Sequence, residues 1–388
     1  MEVEDQEVLK LKPKNEEENY SYLDTFYIEL PKNIISYVSL IFIIFVIMMY
    51  YLFSKRENKE NYKINQNLNL NNIKLIRKIE DVSEFDNLSL HKYLKEQYQF
   101  CDYLKNGNNI KKEYEEQITL VNVSMLSQSF SMYVYKEKDK ISTELLDYQS
   151  WETDETNNLL VALLFYCIVY SLKPYEVYVL DIGSSIGWHT LSFAKYGYNV
   201  LSFEPSEINN YILKKDFCLN RGLNITLIQK GLYNIEGKCD YYINNQNKGE
   251  GNVLFGNFEK NHQTFQKIGE VDLTKLNNYI SFLSNNNLGL IRIDTKGSEG
   301  KIIEGGIDLI VKYRIPYIFL GFNPEGLRMH GTDPRKFLKI FLRNGYRFAS
   351  LNFFDDEFLS IDEIMAKVKG TMNLYVVYNK MTKLYYNS

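Results

Sequence analysis

Seven short runs rich in β-branched and aromatic residues stand at 176–182 (EVYVLDI), 199–203 (NVLSF), 225–228, 288–293 (LGLIRI), 316–322 (PYIFLGF), 346–351 and 373–378 (NLYVVY). Longer segments of helical period lie between most of them, at 188–196, 208–220, 301–312 and 335–344. Strands that alternate with helices in this way bury their faces under those helices. The pattern therefore predicts an α/β fold with a mostly parallel sheet covered on both sides. Hydrophobic residues make up 45% of the chain and charged residues 24%, enough apolar material for such a core. At about 150 residues per domain, a chain of 388 residues has room for more than this one unit.

The extra length lies ahead of the alternating region. Residues 34–53 (IISYVSLIFIIFVIMMYYLF) carry no charge, with Lys32 before them and Lys55 and Arg56 after. At about 1.5 Å per residue the run matches the roughly 30 Å hydrocarbon core, so one transmembrane helix is expected. The competing reading, a cleaved signal peptide, requires a basic segment, a shorter apolar one and a small-residue cleavage site; here an acidic tail precedes and no such site comes after. The plan is then a short acidic tail (1–33), the span (34–53), a polar stalk and helical linker (54–112) whose helices pack on the α/β domain, and that domain itself (113–388). The uncharged run 159–172 is too short to cross a bilayer comfortably and reads as a buried helix.

Lys plus Arg number 45 and Asp plus Glu 49, a net charge of −4, which lacks the basic excess that binds a phosphate backbone; nucleic acid is not expected as a partner. The four cysteines, Cys101, Cys167, Cys218 and Cys239, contain no C-x-x-C pair, and the four histidines no H-x-x-x-H. Neither a metal site nor a disulfide framework is expected from that spacing.

The sharpest local signal is 179–187 (VLDIGSSIG): an acid at a strand end, Asp181, then Gly183 and Gly187 in a tight turn, then a helix from Trp188. Such a turn lets the backbone approach a ligand, and the helix beyond it offers unpaired N–H groups. The next strand ends in Glu204 about 20 residues on, the place from which a carboxylate reaches ribose hydroxyls. The D-x-G-x-x-x-G spacing is not the dinucleotide G-x-G-x-x-G, and an amino group would suit Asp181 better than a pyrophosphate would.

These residues resemble the FkbM-type S-adenosylmethionine-dependent methyltransferases, a family within the class I, seven-stranded Rossmann-like group. DIGSSIGWHTLSFAKYG is similar to the family's first motif, LSFEPS to its second and LIRIDTKGSEGKIIEGG to its third, with FNPEGLR and GYRF similar to a later block. The likeness runs from about Phe130 to Tyr378. It implies that Asp181, Gly183, Ser185 and Gly187 form the cofactor loop, with Asp181 acting on the methionine portion directly or through water and Ser185 standing where the family has Asn. It further implies that Glu204 accepts hydrogen bonds from the ribose, and that Asp294 faces the methionine end of the cofactor and the substrate. Glu299 opens the next helix, where the dipole also favours an acid. Two departures stand out: Lys296 replaces the family's usual Glu, and Gly321 occupies a position where an acid is common.

The expected activity is transfer of a methyl group from S-adenosylmethionine to a hydroxyl on a sugar, glycan or other small metabolite. Lys296 is read as a cation that orients the acceptor, with proton removal by Asp294, by His330 or by water. His189, in the first turn of the helix after the loop, either touches ligand or serves the helix's apolar face. Trp151 and Glu152 resemble a family SWE or GWE stretch and line the site, unless Trp151 is simply core. The rival from another class is a non-catalytic Rossmann-like scaffold that keeps the cofactor pocket. Lys32 stands alone close to one end of the span, while Lys55, Arg56, Lys59 and Lys63 crowd the other, which puts the domain in the cytosol. A lumenal Golgi or ER orientation is the alternative, and would expose the sequons at Asn87, Asn122 and Asn224 to glycosylation.

Overall fold

In a computed structural model of the protein, residues 87–106, 111–244, 247–254, 265–284 and 286–381 are described. The acidic tail, the expected span at 34–53 and most of the stalk lie outside them; among the described residues no helix is long and apolar enough to cross a membrane. Ser83–Ser388 form one compact unit.

This unit opens with α1 (Asn87–Lys105) and an antiparallel hairpin of β1 (Ile118–Met125) and β2 (Gln128–Tyr135). Two helices come next, α2 (Lys140–Tyr148) and α3 (Thr153–Tyr170). The expected buried helix is thus α3, and it buries one side only: Leu159, Leu160, Ala162 and Leu163 are covered, while Ile168 and Tyr170 are exposed.

All seven runs read as strands become strands of one sheet. β3 (Val177–Ile182), β4 (Asn199–Phe203) and β5 (Ile225–Ile228) wind in one direction, linked by α4 (Trp188–Lys195) and α5 (Glu207–Leu219). The chain then makes a detour that the sequence did not announce, a separate four-stranded sheet of β6 (Gly231–Leu232), β7 (Gly237–Asn244), β8 (Asn247–Leu254) and β9 (Phe265–Thr274). It returns as β10 (Asn287–Ile293) on the other side of β3, followed by β11 (Tyr317–Phe322), β12 (Tyr346–Ala349) and β13 (Met372–Tyr378). The sheet order is β12-β13-β11-β10-β3-β4-β5, and β13 alone runs opposite to the other six strands.

Alternation along each strand feeds two cores. Val177, Val179 and Val200 point into one, and Leu180, Ile182 and Leu201 into the other. That division is the two-residue period of a strand buried on both faces. The single helix expected at 301–312 is two, α6 (Glu299–Gly305) and α7 (Ile307–Tyr313). They part at Gly306, where a side chain would run into Leu276. Two further helices, α8 (Pro324–Met329) and α9 (Pro334–Arg343), start with proline in the first turn and an Asn323 or Asp333 cap, which fixes their beginnings.

One expectation is overturned. Cys101 on α1 and Cys218 on α5 are joined by a disulfide across a sequence separation of 117. Spacing rules see only neighbours in sequence, whereas α1 packs against α5 in space. Gln97 fixes the same helix to the sheet edge, donating to Ile225 O (3.3 Å) and accepting from Leu227 N (3.0 Å), so the outer backbone of β5 is partly paired.

Candidate active site

β3 and β10 are neighbours whose onward connections leave in opposite directions, and a crevice opens at the carboxyl ends of strands where that happens. A cavity of about 470 Å³ lies there, in the size range of small-molecule sites. Three turns form one wall. The turn after β3 is drawn onto β4, with Gly183 N and Ser184 N both donating to Phe203 O. Gly183 has φ +78°, and a Cβ there would sit 2.4 Å from Asp294 O, so the two turns touch backbone to backbone and no other residue fits.

Glu204, at the end of β4, is almost fully buried yet lines the cavity. Its carboxylate accepts from Ser185 N and Ser206 N, each at 2.8 Å, and from Asn209 Nδ2 at 3.4 Å. Burial pushes its carboxyl up to about 7, against those hydrogen bonds, which favour the charged form. Oε1 takes both the Ser206 and Asn209 bonds, whereas Oε2 accepts only from Ser185 N, so acceptor capacity toward the cavity remains on Oε2.

From the wall inward runs a chain of alternating charges, with Lys296, Asp294 and Arg292 lining the cavity and Asp181 behind them. Arg292 Nη1 meets Asp181 Oδ1 at 2.9 Å, Arg292 Nη2 meets Asp294 Oδ2 at 3.1 Å, and Lys296 Nζ meets Asp294 Oδ1 at 2.8 Å. Burial opposes the guanidinium charge, but Asp181, Asp294 and Glu152 outweigh it. Burial likewise opposes ionisation of Asp294, and Lys296 with Arg292 overcomes it, holding that carboxyl below its ordinary range. Gly321 has a spatial reason: a Cβ on it would lie 2.5 Å from Asp294 Oδ1, so the Asp294 carboxylate occupies the room a side chain on β11 would need.

The structure brings together Gly183, Ser185, Glu204, Asp294 and Lys296 on the cavity wall, with Trp151, Glu152 and His189 facing them. Three expected site residues are placed otherwise. Asp181 is wholly buried behind the wall, bonded to Arg292 and accepting from Thr190 Oγ1 at 2.6 Å, so its charge is already met inside the protein. Gly187 does not line the cavity; it has φ +92° at the start of α4, and a Cβ there would strike Leu213, so its need is conformational. His330 is buried at the end of α8, with Nδ1 3.2 Å from Tyr233 Oη and away from the cavity lining. Burial brings it down to about 4, and it is not placed to act as a base. Glu299 is also buried, where it accepts from Thr295 N at 2.9 Å and so shapes the turn after β10. Sequence reasoning missed Arg292, which reads as one more strand residue in LIRID, and Thr371 and Asn373, which reach the cavity from the edge of β13.

Residues 181–348 match the model of the methyltransferase FkbM domain. No curated protein matches the chain in sequence. Among solved structures it is similar to WbdD at 11% identity, with a TM-score of 0.35, covering 61% of this chain and 43% of that one. The chain thus spans under half the length of that protein. It is also similar to an O-methyltransferase from Bacillus cereus in complex with SAH, at 15% identity, a TM-score of 0.31 and coverage of 59% and 82%. A third likeness is the magnesium protoporphyrin IX methyltransferase from Synechocystis PCC 6803 with bound SAH, at 12% identity, a TM-score of 0.29 and coverage of 58% and 83%.

Proposed function

We propose that this FkbM domain methylates a hydroxyl oxygen on a sugar, glycan or other small metabolite, and that residues 34–53 tether it to a membrane. The observation that carries the methyl-donor half is the join of two features on one wall. Glu204 keeps a buried carboxylate open to the cavity, and beside it the Gly183 turn leaves no room for a side chain. The residues present fit the cofactor: Glu204 would hold the ribose hydroxyls, the 183–185 backbone would cradle the nucleoside's path, and Asp294 would face the amino-acid end. When bound, S-adenosylmethionine supplies an electrophilic methyl group on a sulfonium. The protein's part is to hold the acceptor in line and remove its proton.

Calorimetry with S-adenosylhomocysteine tests this reading. The wild type binds it, and Gly183→Ala, which forces a methyl group against Asp294 O, loses that binding by more than about 100-fold. A wild type that takes NAD and not S-adenosylhomocysteine sinks the reading. The scaffold alternative draws on one observation, the Lys296–Asp294 pair, which removes the expected acid from use.

The side of the membrane rests on two observations that oppose each other. The Lys and Arg count around 34–53 puts the domain in the cytosol. The Cys101–Cys218 disulfide favours the lumenal side, because disulfides persist in oxidising compartments, and the sequon residues Asn122 and Asn224 are exposed there for glycans. Protease protection of the domain in sealed microsomes, or a glycosidase-sensitive mass shift, decides for the lumen; digestion without either decides for the cytosol.

A further inference from the structure

Glu152 precedes α3 at the position where a side chain normally caps the helix, yet its carboxylate makes no capping bond. Its backbone is left-handed (φ 40°, ψ 46°), an uncommon conformation for a residue with a side chain. Thr156 N and Thr156 Oγ1 hold it there, both donating to Glu152 O at 2.9 Å, and Thr156 Oγ1 accepts in turn from Trp188 Nε1 at 3.1 Å. The result is a carboxylate turned onto the cavity wall. His189, a lining residue of the same cavity, is only 4% exposed, and its buried Nε2 has no hydrogen-bond partner. A buried, unpaired ring nitrogen beside a ligand cavity is an unmade hydrogen bond.

We propose that Glu152 and His189 form the site for the acceptor hydroxyl, with Glu152 Oε2 taking its proton and His189 Nε2 holding its oxygen. The proposal rests on the methyltransferase reading and adds the acceptor side to it. The two atoms are 3.7 Å apart, too far to bond each other. An oxygen about 2.8 Å from each closes the triangle, donating its proton to the carboxylate and accepting from an Nε2–H tautomer. The rival bases are worse placed: both Asp294 oxygens are engaged by cations, and His330 is off the cavity. Burial and then Glu155 push the Glu152 carboxyl up to about 7, with Arg292 opposing and Asp294 adding to the rise, which suits a base working near neutrality. Burial, with Arg292 and Lys296 nearby, keeps His189 neutral.

The step balances. As the acceptor O–H proton passes to Glu152, a lone pair of that oxygen forms the new bond to the methyl carbon. The pair of the broken carbon–sulfur bond stays on sulfur, and the proton leaves from the partly exposed Glu152 to water.

Two sulfonium analogues of S-adenosylhomocysteine test the site without a known acceptor, one carrying an S-(2-hydroxyethyl) arm and one an S-propyl arm of similar size. Wild type is expected to prefer the hydroxyethyl form by about tenfold, the effect of a hydrogen bond to a charged group. Glu152→Ala abolishes that preference, while Glu152→Gln and His189→Gln each keep a fraction of it. All three retain S-adenosylhomocysteine binding, which also shows that they fold. A wild type that does not distinguish the two arms overturns the proposal, as does a preference that survives Glu152→Ala. If the wild type fails to bind S-adenosylhomocysteine at all, the methyltransferase reading falls first and this site falls with it.

Discussion

The cavity wall assigned to the nucleoside is made by turns that each come directly after a strand, β3, β4 or β10, and much of it is backbone. The opposite wall gathers Lys140, Trp151, Glu152, Thr371 and Asn373, side chains from both ends of the domain. The first wall is therefore fixed by the sheet itself, and changing it means changing the fold. The second is fixed by the packing of α2, α3 and the β13 edge, and can be altered residue by residue. A domain built this way can keep one cofactor while its acceptor varies, which accords with sites being grafted onto folds.

Arg292 is where the two walls meet, so it offers the hardest test of their separateness. Arg292→Leu leaves Asp181 as a buried acid without its cation and Asp294 with Lys296 alone, and should destabilise the protein by about 3–5 kcal/mol in urea unfolding. A loss under about 1 kcal/mol would mean the charges relax independently and the walls are not coupled.

The next effect is confined to the nucleoside wall and depends on pH. The Glu204 carboxyl lies at about 7 in the folded protein against an ordinary 4.5, because of burial. Its contribution to stability is complete below about 4.5 and is lost as pH rises through 7, so the ligand-free protein melts at a lower temperature at pH 8 than at pH 6 from this group. Cofactor affinity should move the other way, since ribose hydroxyls donate to the ionised form. Calorimetry should show S-adenosylhomocysteine binding roughly tenfold tighter at pH 8 than at pH 6. The dependence should flatten in Glu204→Gln, which also binds more weakly at pH 8; an unchanged slope in that variant removes Glu204 from the ribose.

The smallest effect is expected at Lys296, whose side chain is 37% exposed. Lys296→Gln should cost no more than about 1 kcal/mol of stability and leave S-adenosylhomocysteine affinity nearly unchanged, because Arg292 still holds Asp294. A large loss of affinity would mean that the Lys296 side chain itself holds the cofactor, and that this wall is not mainly backbone.

The same division explains what the sequence made legible. The seven strands, Gly183 and Glu204 were readable because strand, turn and helix succeed one another within about twenty residues, and the β-sheet period and glycine needs are local. Glu152 was visible only through a weak likeness, and Asn373 not at all, because nothing near them in sequence records which cavity they reach. Asp181 misled for a physical reason: an acid at a strand end looks the same whether it meets a ligand or a buried arginine from the neighbouring strand. The β6–β9 sheet escaped notice because much of it is polar, β9 exposing most of its length to solvent.

The bond between Cys101 and Cys218 closes a covalent ring around the β1–β2 hairpin, α2, α3 and the first two strands of the main sheet. A backbone cut anywhere inside that ring leaves one molecule, which migrates as a single species until a reductant separates the pieces. The ring also keeps α1 joined to the sheet after such a cut, so the domain would not be shed from the residues that precede it. Between residues 101 and 218, thiol chemistry rather than proteolysis then sets when the parts come apart.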